Sequence, residues 1–351
     1  MIPGPRSRAA VPLLIALAVV ASCTSQQGSV PATPSPVVPG QLLSVASGPD
    51  GTSLITYELQ DGAASTLAAP IRSETEARLE VTGVGAGDGW LFMSPSGRFA
   101  QTYELRRGGS AVEKLGPPLD PHGDRVQLSI SPRAAVVADC RVVWVLRLPS
   151  ADHWSPAGSG CWGAVSPDGG SVASSPDGYT VVTESSTGGR AHAILDVRDL
   201  AGTFPTSRTP RIVGTPVWGD AGLAFLLRAG DQLAVFVLEP DGRTVRAYQE
   251  AIAPTAPMPH LAWQPGGGTL AISDDAGASG AVLRLFDPAT RTLTALSFAP
   301  GGFAATTWAP DGSSIAVLTQ PGQLAIVTLD GHWLLRRDVD WNNVLGWSGS
   351  A

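Results

Sequence analysis

Three cysteines, five histidines and a few acidic pairs are the side chains of this 351-residue chain whose types suit covalent, proton-transfer or metal chemistry. A protein metal site needs several imidazoles, thiolates or carboxylates converging on one point. The histidines His122, His153, His192, His260 and His332 lie far apart and form no HExxH or i, i+4 pair. Cys140 and Cys161 belong to no CxxC pair, and His153 is the one histidine between them, so the spacing offers no metal site. Asp274-Asp275 and Asp338–Asp340 have the chemistry of a weak calcium loop but read better as solvated hairpin tips. No GxSxG elbow and no P-loop occurs. The glycine-rich run Gly83–Gly89 opens no helix and reads as a flexible turn before Trp90. His260, at the entrance of an expected strand, is kept as a candidate contact residue. No catalytic set and no cofactor follow from these residues.

The elements that must position these groups are strands. Charged residues make up 15% of the chain, well below the roughly 25% of ordinary soluble domains, and Lys114 is the single lysine. Long helices need charged outer faces, so an all-helical fold is excluded. The 41 glycines and 30 prolines point to many short strands joined by turns. The formal charge is -7, and the arginines are scattered, which argues against a nucleic-acid partner.

From Gly40 onward one phrase recurs: an apolar stretch, often with tryptophan, then a Pro/Asp/Gly turn, then a strand of small apolar residues. Leu261-Ala262-Trp263-Gln264-Pro265-Gly266 precedes Thr269–Ile272, and Thr307-Trp308-Ala309-Pro310-Asp311-Gly312 precedes Ser314–Val317. Trp218, Trp263 and Trp308 are spaced by 45 residues. A fixed period of this size made only of strands indicates a β-propeller or a related array. In the last full copy the strands are Ala304–Trp308, Ser314–Thr319, Gln323–Leu329 and Trp333–Arg337, separated by Pro-Asp-Gly, Pro-Gly and Asp-Gly turns. The expectation is an all-β propeller of about seven four-stranded blades; the doubled turn at Ser175–Gly178 leaves six or eight open. The N-terminal unit, Gln41–Ala46 and Leu54–Leu59, lacks a first strand, whereas Val344–Ser348 supplies one more. The C-terminal strand is therefore expected to complete the N-terminal blade and close the ring.

The phrase Trp308–Ala316 resembles the repeat of TolB-type, WD-repeat-like bacterial propellers, and the pattern extends over most of residues 41–351. That resemblance implies the propeller fold; its members include periplasmic partner-binding proteins and propeller domains attached to peptidases. The expectation is a propeller without the N-terminal α/β domain of TolB and without an appended hydrolase domain, so the TolB role is an analogy only. Trp218, Trp263, Trp308 and Trp347 share one place in the repeat, which assigns them to packing between blades. Trp90, Trp154 and Trp333 fall outside that place and are candidate exposed contact residues. The expected inner strands, such as Leu261–Gln264 and Ala304–Ala309, contain no charged residue.

The N-terminus reads as an address. Arg6 and Arg8 precede an apolar run from Ala9 to Ala21, the pattern of a signal peptide. Val20-Ala21-Ser22-Cys23 resembles the lipobox of bacterial lipoproteins, which implies cleavage after residue 22 and lipid on Cys23. The expected organisation is a signal peptide at 1–22, a lipidated Cys23 and Pro/Ser-rich tether at 23–40, and a propeller at 41–351. In an oxidising compartment Cys140 and Cys161 are expected to form a disulfide, two buried thiols being the alternative. The functional expectation is a monomeric scaffold on the extracytoplasmic face of the cell membrane, binding an envelope protein or peptide. The alternative is a propeller hydrolase, a lactonase or a carbohydrate binder.

Overall fold

The computed structural model describes residues 40–48, 51–66, 82–86, 89–96, 99–106, 112–120, 127–148, 152–252, 258–275, 281–297, 303–319, 322–339 and 343–348. The expected signal peptide, Cys23 and nearly all of the tether lie outside these residues. Pro36–Ala351 forms one compact unit, and its described residues are built almost wholly of strands. Blade 1 begins with β1 (Gln41–Gly48), β2 (Gly51–Glu58) and β3 (Ala64–Thr66). Blade 2 is β4 (Thr82–Ala86), β5 (Gly89–Ser96), β6 (Phe99–Arg106) and β7 (Val112–Leu119). Blade 3 is β8 (Gln127–Ser131), β9 (Ala134–Ala138), β10 (Val143–Arg147) and β11 (Ser155–Pro156). Blade 4 is β12 (Gly163–Val165), β13 (Ser171–Ser174), β14 (Thr180–Ser185) and β15 (His192–Asp196), followed by a 3-10 helix, Val197–Thr203. Blade 5 is β16 (Arg211–Gly219), β17 (Gly222–Ala229), β18 (Gln232–Leu238) and β19 (Thr244–Ala251). Blade 6 is β20 (His260–Trp263), β21 (Leu270–Asp275), β22 (Ala281–Asp287) and β23 (Thr292–Ser297). Blade 7 is β24 (Phe303–Trp308), β25 (Ser314–Thr319), β26 (Gln323–Thr328) and β27 (Trp333–Asp338), and β28 (Asn343–Ser348) ends the chain's described part.

Each blade is a four-stranded antiparallel sheet, and blade 1 has the order β28-β1-β2-β3. The C-terminal strand thus pairs with β1 from Gln41↔Ser348 to Val45↔Asn343, as the repeat count required. The innermost strands β4, β8, β12, β16, β20, β24 and β28 each lie against the next, and β28 lies against β4, so seven blades close a ring. The Ser175–Gly178 turn does not begin another blade; it joins β13 to β14. Two readings of the sequence are corrected. Residues 83–86 of the glycine-rich run belong to β4, the innermost strand of blade 2, with Gly85 opposite Trp90. The innermost strand of blade 5 starts earlier than the Trp218 phrase, at Arg211, and so carries a charge.

Burial follows from this arrangement. Strands flanked by neighbouring blades lose both faces to solvent and read as continuous apolar runs, as in β9 and β25, in which every residue is buried. The aromatic ends of the inner strands form a belt. The Trp263 indole Nε1 donates to Val217 O (3.2 Å), and Trp308 Nε1 donates to Ala262 O (3.0 Å), each reaching one blade back. Trp90 makes the equivalent bond from a second strand, to Gly346 O at 3.2 Å, and is 1% exposed. It is a buried packing residue and not an exposed contact. Gly219 must be glycine because a Cβ there would run into the Trp263 ring. Trp154 is half-buried and donates Nε1 to Pro117 O (2.9 Å), stapling blade 3 to blade 2.

Cys140 and Cys161 are joined in a disulfide, linking the turn after β9 to the segment entering β12. Asp139, 2% exposed, holds that turn by accepting from the Arg141 and Val142 amides (3.0 and 2.8 Å). Closing a loop of this separation, 21 residues, contributes about 3 kcal/mol in the chain-entropy description.

The belt residues carry the ring, so Trp308→Ala is expected to cost about 3–5 kcal/mol, the usual loss for a large buried aromatic. Trp333→Ala, at a site 39% exposed, is expected to stay within about 1 kcal/mol. Urea unfolding of the two variants measures the difference, and equal losses would show that the belt is not what stabilises the ring.

Candidate functional site

In every blade the innermost strand runs from one face of the ring to the other, the second returns, and the third and fourth repeat the cycle. One face, the channel mouth, therefore collects the starts of the inner strands, the turns between second and third strands, and the connections between blades. The tryptophan belt lies at the opposite face. At the mouth stand the Cys140–Cys161 disulfide, His260 at the start of β20, and the Gln127 side chain, whose Nε2 donates to Thr215 Oγ1 of blade 5 across the short inner strand of blade 4. Ser273 Oγ lies 3.0 Å from Thr306 Oγ1 of blade 7 and 3.4 Å from His260 O.

Between blades 5 and 6 the mouth holds a network of ionisable groups. Side chains alternate along a strand, so cross-strand partners share a face. Val213, Leu226, Val235 and Tyr248 form one such row across blade 5, facing blade 6. The next row on the same face, nearer the mouth, is Arg211, Arg228, Leu233 and Glu250. From blade 6, Asp274 and Arg284 meet it. Arg284 Nη1 is 2.8 Å from Asp274 Oδ2, and its guanidinium lies 4.0 Å from the centroid of the Tyr248 ring. The Tyr248 hydroxyl is 3.4 Å from Asp274 Oδ2, and the Glu250 carboxyl stands near enough to influence its titration.

This network perturbs titration. Burial raises the Tyr248 pKa well above the ordinary tyrosine value, and the neighbouring Glu250 carboxyl raises it further. Burial also pushes Glu250 above the ordinary glutamate value; Asp274, the carboxyl beside it, adds to the rise against the lowering by Tyr248 and Arg284. His260 is open to solvent at the channel mouth, yet the surrounding ring wall desolvates its imidazole and lowers its pKa. Two carboxyls, one with its pKa raised by burial, beside a phenol and a guanidinium, can exchange a proton and can bind a polar ligand.

The sequence-derived site residues are not brought together. His260 is at the mouth, Trp90 is buried in the belt, Trp154 is a staple between blades 2 and 3, and Trp333 is exposed near the opposite face with Arg336 over its ring at 4.8 Å. Asp274, read as a solvated tip, is in fact 4% exposed and salt-bridged inside a strand. Its signal in the sequence was Arg284, a charge interrupting the apolar strand Val282–Phe286, which required a carboxylate on the neighbouring strand. The aspartates at the opposite face are turn residues: Asp61, Asp241, Asp287 and Asp311 each accept a backbone amide two residues on. Among the described residues no group of three or more His, Cys, Asp or Glu is placed to hold a metal ion. No helix among them is long and apolar enough to cross a membrane.

The fold and mouth define a seven-bladed β-propeller. No protein-family model matches the chain, and no curated protein matches its sequence. Solved structures match over most of its length. Puromycin hydrolase, as an S511A mutant complexed with PGG, has a TM-score of 0.56 at 17% identity, covering 86% of this chain and 52% of that one. This chain thus spans about half of that hydrolase. A candidate 6-phosphogluconolactonase from Bacteroides uniformis has a TM-score of 0.54 at 14% identity, covering 86% and 95%. TolB from Acinetobacter baumannii has a TM-score of 0.49 at 12% identity, covering 88% and 67%. At these identities the likeness is one of fold.

Because folded Glu250 binds its proton more tightly than the unfolded chain does, its contribution is present at acid pH and is lost as pH rises above the ordinary glutamate range. Glu250→Gln is therefore expected to raise Tm at neutral pH and to leave it unchanged at acid pH. Asp274→Asn, which leaves Arg284 half-buried without its carboxylate, is expected to destabilise by about 3 kcal/mol or more. Melts across pH test both, and a lower Tm for Glu250→Gln at neutral pH would refute the assignment.

Proposed function

We propose that this chain is an exported lipoprotein, anchored through lipid on Cys23 to the outer face of the cell membrane, whose monomeric propeller holds an envelope protein or peptide at the channel mouth. The observation that carries this reading is the Asp274–Arg284–Tyr248–Glu250 network. Desolvating an ion pair and a second carboxyl between two blades adds little stability compared with apolar packing, so recognition is the better reason to keep it. The aspartates Asp61, Asp241, Asp287 and Asp311 of the opposite face, by contrast, hold turns. The lipobox resemblance and the tether supply the location, and the disulfide at the mouth stiffens the surface that meets the partner.

The test is photocrosslinking in living cells. A photoreactive residue in place of His260 is expected to capture an envelope protein, and one in place of Trp333, at the other face, is not. Cys23→Ala is expected to move the chain out of the membrane fraction. Equal capture from both faces, or none from either, overturns the reading.

A second reading, an extracytoplasmic hydrolase or lactonase, is favoured by one observation: the raised Glu250 carboxyl beside Asp274 has the pKa pattern of a general acid. It requires lactone or ester turnover that Glu250→Gln abolishes.

A further inference from the structure

Each blade leaves its outermost strand as a free sheet edge. Such an edge offers unpaired N–H and C=O groups to another chain unless it is short, bulged, charged or broken by proline. Six of the seven edges carry at least one of these devices. β3 and β11 are three and two residues long. β7 carries Glu113, Lys114, Pro117 and Pro118, β19 carries Arg246 and Glu250, and β27 carries Arg336, Arg337 and Asp338. Each of these three, and β15 as well, pairs with its inner neighbour through a register shift. β23 has none of the devices. Its residues, Thr292–Ser297, are uncharged and free of proline, and they pair with β22 from Val282↔Ser297 to Asp287↔Thr292 without a shift.

The edge is also held ready. Asp287 turns β22 into β23 by accepting from the Ala289 amide (2.9 Å) and the Thr290 hydroxyl (2.9 Å), and Thr290 Oγ1 lies 2.8 Å from Thr292 Oγ1. Residues 292–295 are exposed, and among the described residues no backbone hydrogen bond from another element reaches the outer side of β23. In an antiparallel ladder every second residue directs both backbone groups outward, so about half of this strand presents them.

Four large apolar side chains are exposed among the described residues, and two of them, Leu293 and Trp333, flank this edge. Leu293, 40% exposed, pairs with Phe286, which packs toward blade 5, so it lies on that face. Leu296 faces blade 7, where its Cδ2 is 3.0 Å from the place a Cβ on Gly331 would take. Trp333, 39% exposed, follows Gly331 by two residues and pairs with Val327, which packs toward blade 6. An extended chain laid along β23 therefore has Leu293 beside one of its faces and Trp333 beside the other.

We infer that β23 takes up an extended, uncharged segment of another protein as a fifth strand of blade 6. Main-chain hydrogen bonds supply the affinity, and Leu293 and Trp333 select apolar or β-branched side chains on the added strand. The uncharged edge sets the chemistry of its occupant, since a charged residue opposite it gains no partner. It also speaks against a second copy of this chain, because each copy carries a formal charge of -7 and the edge supplies nothing to offset the repulsion. This rim site stands apart from the channel mouth and does not rest on the function proposed there.

The test uses the whole chain and one probe, a dye-labelled, C-amidated Thr-Val-Thr-Val-Thr-Val peptide, titrated by fluorescence anisotropy. The peptide is expected to bind saturably with one site per chain and to slow amide hydrogen exchange in residues 292–297. The same peptide methylated at every backbone nitrogen, which keeps the side chains and loses the donors, is expected not to bind. Leu293→Lys, which gives β23 the charge that other edges carry, is expected to weaken binding about tenfold or more, and Trp333→Ala severalfold. Val112→Lys, at an exposed apolar residue of the already blunted β7, is expected to bind as the parent does. Melting of each variant close to the parent's Tm shows that the fold is kept. The proposal is overturned if the peptide does not bind, if protection falls elsewhere, or if the methylated peptide binds equally well. It is overturned too if sedimentation shows the chain to pair with itself in a manner that Leu293→Lys abolishes, since the edge then serves a second copy.

Discussion

The pairing of β28 with β1 is the constraint on which the rest depends. Every blade covers its faces with its two neighbours, so a row of blades has two uncovered ends, each a large apolar face with a free sheet edge beside it. Bringing the last strand of the chain to the first blade removes both ends in one step. It also ties the ring shut with main-chain hydrogen bonds from Gln41↔Ser348 to Val45↔Asn343. The Trp90 bond to Gly346 rests on this closure, since its acceptor lies in β28 and its donor in blade 2.

Within the closed ring the inner strands divide the molecule into two chemically different ends. At one end the indoles of Trp90, Trp263 and Trp308 fill the spaces between blades and satisfy inner-strand carbonyls. Large apolar area and a directed hydrogen bond at each joint set the spacing of the blades. At the other end the joints carry hydroxyls, an amide and charged groups, which lose more in desolvation than apolar side chains do. The stable end positions the polar one. Blades 5 and 6 show the transition over two adjacent cross-strand rows, from the apolar Val213–Leu226–Val235–Tyr248 to the charged row beginning at Arg211 and Arg228.

The disulfide belongs to the polar end. It joins the turn after β9 to the segment leading into β12, the shortest of the innermost strands at three residues. Blade 4 has little inner-strand length with which to hold its place, and two devices compensate for it: the covalent link to blade 3 and the Gln127 to Thr215 bond that passes over it from blade 3 to blade 5.

The amino-acid sequence by itself determined the repeat, the four-stranded character of its unit, the turns of the last full copy, the closure by the C-terminal strand and the cysteine pair. These features are local or periodic: Pro-Asp-Gly fixes a turn wherever it stands, and tryptophans spaced by 45 residues must occupy equivalent joints. Trp90 was misread because it does the belt's work from a second strand, outside the periodic place. Residues 83–86 were misread because a glycine-rich strand carries no apolar alternation. Only the tertiary structure decided that Asp274 is buried, that Glu250 shares a joint with it, and that Arg211 stands opposite Arg228. Those contacts depend on ladder register and on which face of a blade meets its neighbour. A one-residue slip in register would reverse every one of them, and no local propensity records it.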